Sequence, residues 1–226
     1  MQLNSDFGLR VAVHAGRMPW TPSPVPGVER RMLERIGDEV ARATSLVRYA
    51  PRSRFPAHVH GGGEEILVLE GVFRDETGEF PAGSYVRNPP KSRHAPSSGP
   101  GCVIFVKLWQ FDPQDRSPLR IVAGEAADQA ATDHRTIRVR RLHHDAHEDV
   151  RIETWAPGTS IERAVPGGAE LFVIEGAFDE DVERFERWSW LRLPAGAVLR
   201  ARACAEGARV WVKEGHLAAV PPLPGA

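Results

Sequence analysis

Apolar and polar positions alternate along much of the chain at the two-residue period of a strand with one buried face. Ala41, Ala43, Ser45, Val47 and Tyr49 share one parity, with more polar neighbours between them. Glu65-Ile66-Leu67-Val68-Leu69 is a short β-rich run that stops at Gly71, and Val103 to Leu108 and Val210 to Val212 are further runs. Asp75-Glu76-Thr77-Gly78 reads as a hairpin turn. Strands spaced by about 8–12 residues between turn signals predict a sandwich or barrel. The one helix expected is short, Gly124 to Ala131, inside the connecting segment Asp115 to His134. Pro19 to Gly27 is proline-rich and is expected to run extended over a barrel surface. The apolar runs stay at strand length, far below the roughly 20 residues of a membrane-spanning helix.

The same pattern occurs twice. Tyr49-Ala50-Pro51 returns as Trp155-Ala156-Pro157, and Leu69-Glu70-Gly71-Val72-Phe73 as Ile174-Glu175-Gly176-Ala177-Phe178. Phe80, Tyr85, Arg87 and Pro89 match Phe185, Trp190, Arg192 and Pro194 at a constant offset of 105, and Val106-Lys107 matches Val212-Lys213 at 106. Two copies of one module account for a length of 226 residues, awkward for one domain of about 150. The expected domains are 1–115, with an extended N-terminal arm, and 116–226, which includes the linker.

Composition narrows the classes further. With 21 Gly and 19 Pro the chain suits many short strands rather than a helical bundle. Twenty-nine basic residues balance 30 acidic ones, so nucleic-acid and acidic-membrane partners are not expected. Cys102 and Cys204 form no CxxC pair, which excludes a cysteine zinc finger and argues against a disulfide framework. The first residues, Met1 to Asp6, show no basic stretch leading into an apolar one, so a cytoplasmic location is the expectation.

The candidate chemistry sits in copy one. His58 and His60, two apart on a strand, point to the same side. Glu64 follows across Gly61-Gly62-Gly63, and His94 follows the turn Asn88 to Arg93. Three imidazoles and a carboxylate suit one divalent transition metal, with zinc, iron, manganese and nickel all open.

These residues resemble the cupin superfamily, whose motifs read G-x5-H-x-H-x3/4-E-x6-G and G-x5-P-x-G-x2-H-x3-N. His58-x-His60-x3-Glu64-x6-Gly71 follows the first, with Arg52 or Ser53 in place of the opening Gly. Gly83-x5-Pro89-x-Lys91-x2-His94 follows the second, with Lys91 for a Gly and Ser98 for the final Asn. Phe55 to Phe73, Tyr85 to Pro96 and Phe105 to Gln110 resemble the ChrR-type cupins in particular, over about residues 19–111. The resemblance implies an all-β fold of two tandem jelly-roll barrels (double-stranded β-helices) packed as an internal pseudo-dimer. It implies His58, His60, Glu64 and His94 as metal ligands.

In copy two the positions expected to match His58, His60 and His94 are Ala164, Pro166 and Leu199, with Glu170 surviving alone. Glu65 aligns with Glu170 and is read as structural. Lys107, present in both copies, is read the same way. Phe105 and Trp109 share its strand face and are candidates to line the pocket. His143-His144-Asp145-Ala146-His147 is read as a solvated charged segment.

Three functions remain open. One is a mononuclear metalloenzyme, dioxygenase-like, acting on a small oxygenated substrate. The second is a stress sensor, since ChrR-type proteins are anti-sigma factors. The third is a barrel that zinc merely stabilises. ChrR proteins hold the sigma factor through a separate helical zinc domain with His and Cys ligands. A chain without CxxC is therefore not expected to bind a sigma factor. The expected partner is a small-molecule ligand or substrate, and a homodimer is open.

Overall fold

The computed structural model describes residues 1–38, 40–124 and 136–220. The chain is all-β, and a 3-10 turn at Ala15–Arg17 is its one helical element among the described residues. No helix of the described residues is long and apolar enough to cross a membrane. The short helix expected over Gly124 to Ala131 lies, beyond Gly124 itself, outside the described residues.

Two compact units emerge, residues 1–5 with 19–124 and residues 6–18 with 136–220. In the first, after the edge strand Gln2–Leu3, the sheet runs in the order Val28–Gly37, Ala41–Tyr49, Cys102–Leu108, Glu64–Asp75, Tyr85–Asn88, Leu119–Ile121. In the second the order is Ile137–His144, Asp149–Trp155, Ala197–Glu214, Ala169–Glu180, Ser189–Leu193, Val11–His14. The two orders correspond strand for strand, as the repeat requires. The last strand of each sheet comes from outside the copy it completes. Leu119–Ile121, which follows copy one and leads to copy two, pairs with Tyr85–Asn88. Val11–His14, which leads into copy one, pairs with Ser189–Leu193. Each strand covers an edge that would otherwise expose unpaired backbone groups.

Alternation places one parity of every strand in a shared interior. In the first unit Tyr49, Ile66, Val68, Phe73, Phe80, Val86, Ile104 and Val106 form the core. In the second, Trp155, Leu171, Val173, Phe178, Phe185, Leu191, Val210 and Val212 do so. Tyr49 meets Phe73 edge-on at 6.3 Å, and Trp155 meets Phe178 at 5.3 Å. The repeated aromatic positions are thus the repeated core.

The repeated Glu-Gly has an equally physical cause. Gly71 and Gly176 have φ of +69° and +70°. A Cβ on Gly71 would collide with the carbonyl of Gly101, and one on Gly176 with that of Gly207. Each glycine follows a bulge in its own strand, where Leu69 or Ile174 is skipped in the register with the facing strand. Gly158 also has a φ of +71°, but a Cβ there meets open space. Gly176→Ala is therefore expected to cost about 2–4 kcal/mol, from left-handed strain plus the steric clash. Gly158→Ala should cost only the strain, about 1 kcal/mol. Urea unfolding of the two variants checks this, and equal losses would show that φ alone sets the requirement.

Candidate metal centre

His58 and Val59 form a two-stranded ladder with Arg93 and His94, His58 lying opposite His94. The next residue extends the link, since the His60 N–H donates to Ser92 O at 2.9 Å and the Lys91 N–H to His60 O at 2.8 Å. Lys91, standing where the cupin motif has Gly, carries a φ of +73°. The turn thus keeps a glycine-like geometry, at a strain of about 1–2 kcal/mol. Glu64 opens the Glu64–Asp75 strand and shares its inward parity with Ile66 and Val68.

The loop between His60 and Glu64 needs its glycines. A Cβ on Gly61 or Gly62 would enter the Trp109 ring, and one on Gly63 would enter Phe111. Trp109 N–H donates to Gly63 O at 3.0 Å, fastening the loop beneath the ring.

One donor atom from each of His58, His60, Glu64 and His94 lies within 4.8 Å of the others. The three imidazole centroids stand 4.6–5.0 Å apart. His60, Glu64 and His94 are buried and His58 is half-buried, so solvent reaches the cluster on the His58 side. His60 Nε2 and His94 Nε2 are 3.4 and 3.2 Å from Glu64 Oε2. Among the described residues neither nitrogen has a hydrogen-bond partner, although both are buried. They are close to the carboxylate without the angle to bond it, as expected of donors aimed at a shared point. A buried, unbonded polar nitrogen costs about 1–3 kcal/mol, and a metal ion at that point would remove the cost. The donor set fits such an ion.

Further groups orient these donors. His58 Nδ1 donates to Pro56 O at 2.9 Å, and His94 Nδ1 to Asp75 Oδ2 at 3.2 Å. Both acceptors lack a proton to give, so each Nδ1 carries the hydrogen and each Nε2 keeps its lone pair. Asn88 Nδ2 donates to Glu64 Oε2 at 3.0 Å. Asp75 and Asn88 were invisible as site residues in the sequence, where Asp75 reads only as a turn residue. Their roles depend on which loop packs on which strand.

Other sequence candidates fall elsewhere. Phe105 and Lys107 have the parity opposite to the interior residues Ile104 and Val106, so they do not line this site. Lys107 Nζ donates to Thr44 Oγ1 at 2.9 Å, and Glu65 accepts the Tyr85 hydroxyl at 2.6 Å. Trp109, just past the strand with a φ of +61°, turns over the glycine loop instead. His143, Asp145 and Glu148 also gather their donor atoms. There His143 Nε2 meets Asp145 at 3.0 Å, and Lys213 Nζ already pairs with Glu148 at 2.7 Å.

The strand register corrects the reading of copy two. Leu199, the counterpart of His94, lies opposite Arg163, as His94 lies opposite His58. Leu193 faces Ala169 as Asn88 faces Glu64. The counterparts of His58 and His60 are therefore Arg163 and Val165, rather than Ala164 and Pro166, and that of Glu64 is Ala169. A one-residue slip exchanges the faces of a strand, and only the partner strand reveals it. Val165, Ala169 and Leu199 join the apolar core, while Arg163 Nη1 bonds Glu153 at 2.9 Å and Glu214 at 2.8 Å. Glu170 is the counterpart of Glu65 and accepts Trp190 Nε1 at 2.9 Å.

The ChrR cupin-like domain family matches residues 9–112. No curated protein sequence matches the chain. Among solved structures, a protein from Nostoc punctiforme provisionally assigned as a dioxygenase is 15% identical, with a TM-score of 0.70 over 97% of this chain and 87% of that one. An Escherichia coli pirin in complex with nickel(II) is 13% identical, with a TM-score of 0.66 over 95% of this chain and 100% of that one. The Bacillus subtilis oxalate decarboxylase, described with Mn(II) centres, is 11% identical, with a TM-score of 0.63 over 90% of this chain and 76% of that one. At these identities the likeness is one of fold.

The cluster also has a distinctive response to pH. Burial pushes the His60 imidazolium down to about 4, outweighing the nearby Glu64 carboxylate. Burial also opposes charge on His94, but the Asp75 hydrogen bond and the Glu64 carboxylate hold it above the ordinary value. Burial works to raise Asp75, yet the hydrogen bonds from His94 and Thr77 hold it down to about 2. Between pH 6.5 and about 4 the unfolded chain takes up a proton that folded His60 refuses. That contribution is fully present above pH 6.5 and is lost as pH falls toward 4. His94 contributes with the opposite sign, stabilising below its unfolded value and losing that as pH rises through the folded one. In chelator-treated protein, His60→Gln is expected to remove an acid-side loss of up to about 3 kcal/mol. Urea midpoints across this range measure it, and superimposable profiles for variant and parent would refute it.

Proposed function

Because residues 9–112 belong to the ChrR cupin-like domain family, we propose that the chain is a metal-binding bicupin whose first barrel is a mononuclear metalloenzyme centre. One divalent transition metal is held by His58, His60, Glu64 and His94. The observation that carries this reading is the pair of buried, unbonded nitrogens, His60 Nε2 and His94 Nε2, converging with Glu64. Nickel and manganese in the names of two structural neighbours support a transition metal in this fold. A bound metal supplies a Lewis acid, or with iron or manganese a redox centre, for dioxygenase-like chemistry on a small oxygenated substrate such as a diketone or acid.

This chain's residues set the conditions for that chemistry. Asp75 holds the proton at Nδ1 of His94, and Pro56 O holds it at Nδ1 of His58, so both Nε2 atoms stay basic. The half-buried His58 leaves the approach for substrate, while the apolar residues beneath Glu64 exclude water from the other side. The second barrel, with Val165, Ala169 and Leu199 at the corresponding positions, serves as scaffold. A cytoplasmic setting agrees with Cys102 and Cys204 being buried free thiols.

A second reading, a sensory or structural barrel, is favoured by the donor count, because four protein ligands suffice to close a tetrahedral zinc site. Elemental analysis of protein purified without added metal separates the two. Iron, manganese or nickel near one equivalent per chain is expected for the enzyme, and tightly held zinc would favour the second reading. His58→Ala/His94→Ala should empty the site, and Glu170→Gln should leave its content unchanged. An unchanged metal content in the double variant would sink the ligand assignment.

A further inference from the structure

We propose that Arg120 is the positioning residue of the metal centre, gripping at once the two arms that orient Glu64 and His94. This inference rests on the metal reading above. Arg120 lies on the Leu119–Ile121 strand, opposite Val86. Its Nη2 donates to Asn88 Oδ1 at 2.6 Å, and Asn88 Nδ2 donates to Glu64 Oε2. A guanidinium only donates and a carboxylate only accepts, so these two partners fix which way the buried Asn88 amide faces. Arg120 Nε donates to Thr77 Oγ1 at 3.2 Å. Thr77 donates its hydroxyl and its backbone N–H to Asp75 Oδ1, and Asp75 Oδ2 accepts from His94 Nδ1. Arg120 Nη1 is held in turn by the carbonyls of Arg87 at 2.7 Å and Leu119 at 2.9 Å. One guanidinium therefore sets a carboxylate ligand through Asn88 and an imidazole ligand through Thr77 and Asp75.

The choice of partners matters. Each hydrogen bond that Arg120 itself donates goes to a neutral oxygen. A direct Arg–Glu64 pair would occupy the lone pairs that a metal needs, whereas the interposed Asn88 transmits orientation and leaves a carboxylate oxygen available. The second copy is an internal control. There the counterparts of Arg120, Asn88 and Glu64 are Ala12, Leu193 and Ala169, by the pairings Ala12 with Leu191 and Leu193 with Ala169. The relay is absent from the copy that has Arg163, Val165, Ala169 and Leu199 at the ligand positions and present in the copy that gathers four donors.

The test uses the full chain and two metals as probes. Zn(II) affinity is measured by chelator competition, and the ligand field by visible absorption of the Co(II)-loaded protein. Arg120→Ala is expected to weaken Zn(II) binding about 10–100-fold and to change the Co(II) spectrum. Asn88→Leu, which installs the residue of the second copy, should do the same, and keeps the test alive if Arg120→Ala folds poorly. The double variant should lose little more than the worse single one, since both act along one path. Ile121→Ala, on the same strand but lacking the guanidinium, should leave affinity and spectrum unchanged. Affinity within twofold of the parent and an unaltered spectrum in Arg120→Ala would overturn the inference. So would equal effects from Ile121→Ala, which would reduce the role to strand docking. A parent protein that binds neither metal would overturn the metal reading, and this one with it.

Discussion

Two imidazole nitrogens inside the first barrel have no hydrogen-bond partner, and much around them is arranged to keep them that way. His60 Nε2 and His94 Nε2 are buried beside Glu64 and have no hydrogen-bond partner among the described residues. Such an arrangement costs stability on its own, because buried polar atoms normally find partners. It persists because the surrounding chain over-determines it. The ladder between His58–Val59 and Arg93–His94 fixes the backbone, the Gly61–Gly63 loop is pinned under Trp109 and Phe111, and Asp75 and Pro56 hold the outer ring nitrogens.

The two copies share one scaffold and differ at a small set of positions. Both keep the aromatic core, the strand order and the bulge glycines Gly71 and Gly176. Both also keep a buried carboxylate on the opposite face, Glu65 with Tyr85 and Glu170 with Trp190. The difference lies in a few inward positions. Copy one places His60, Glu64 and His94 where copy two places Val165, Ala169 and Leu199. Copy two also carries Arg163 at the place of His58, compensated by Glu153 and Glu214. There a half-buried arginine meets its two carboxylates within the chain.

Much of this was legible along the chain. The alternating pattern and turn residues marked the strands, and the 105-residue repeat marked two modules. The spacing of His58, His60, Glu64 and His94 marked a cluster that the fold does bring together. Less legible was the facing of individual residues. Phe105 looked like a pocket residue but has the wrong parity, and Ala164 and Pro166 were off by one from the true inward positions. Both errors concern a single step along a strand, which costs nothing in a pattern and reverses the side chain in space.

The sequence by itself determined the class of fold, the doubling of the module and the set of donors. Each of these follows from local regularities: periodicity, turn chemistry and the spacing of ligand types. Tertiary structure decided which groups tune those donors. Asn88, Asp75 and Arg120 lie 24, 19 and 32 residues from the groups they orient or grip (Glu64, His94 and Asn88). Tertiary structure also decided that Leu119–Ile121 and Val11–His14 would each complete the sheet of the copy they do not introduce. Such choices rest on pairing between distant strands, where register is set by the joint burial of many side chains and leaves no short-range mark in the chain.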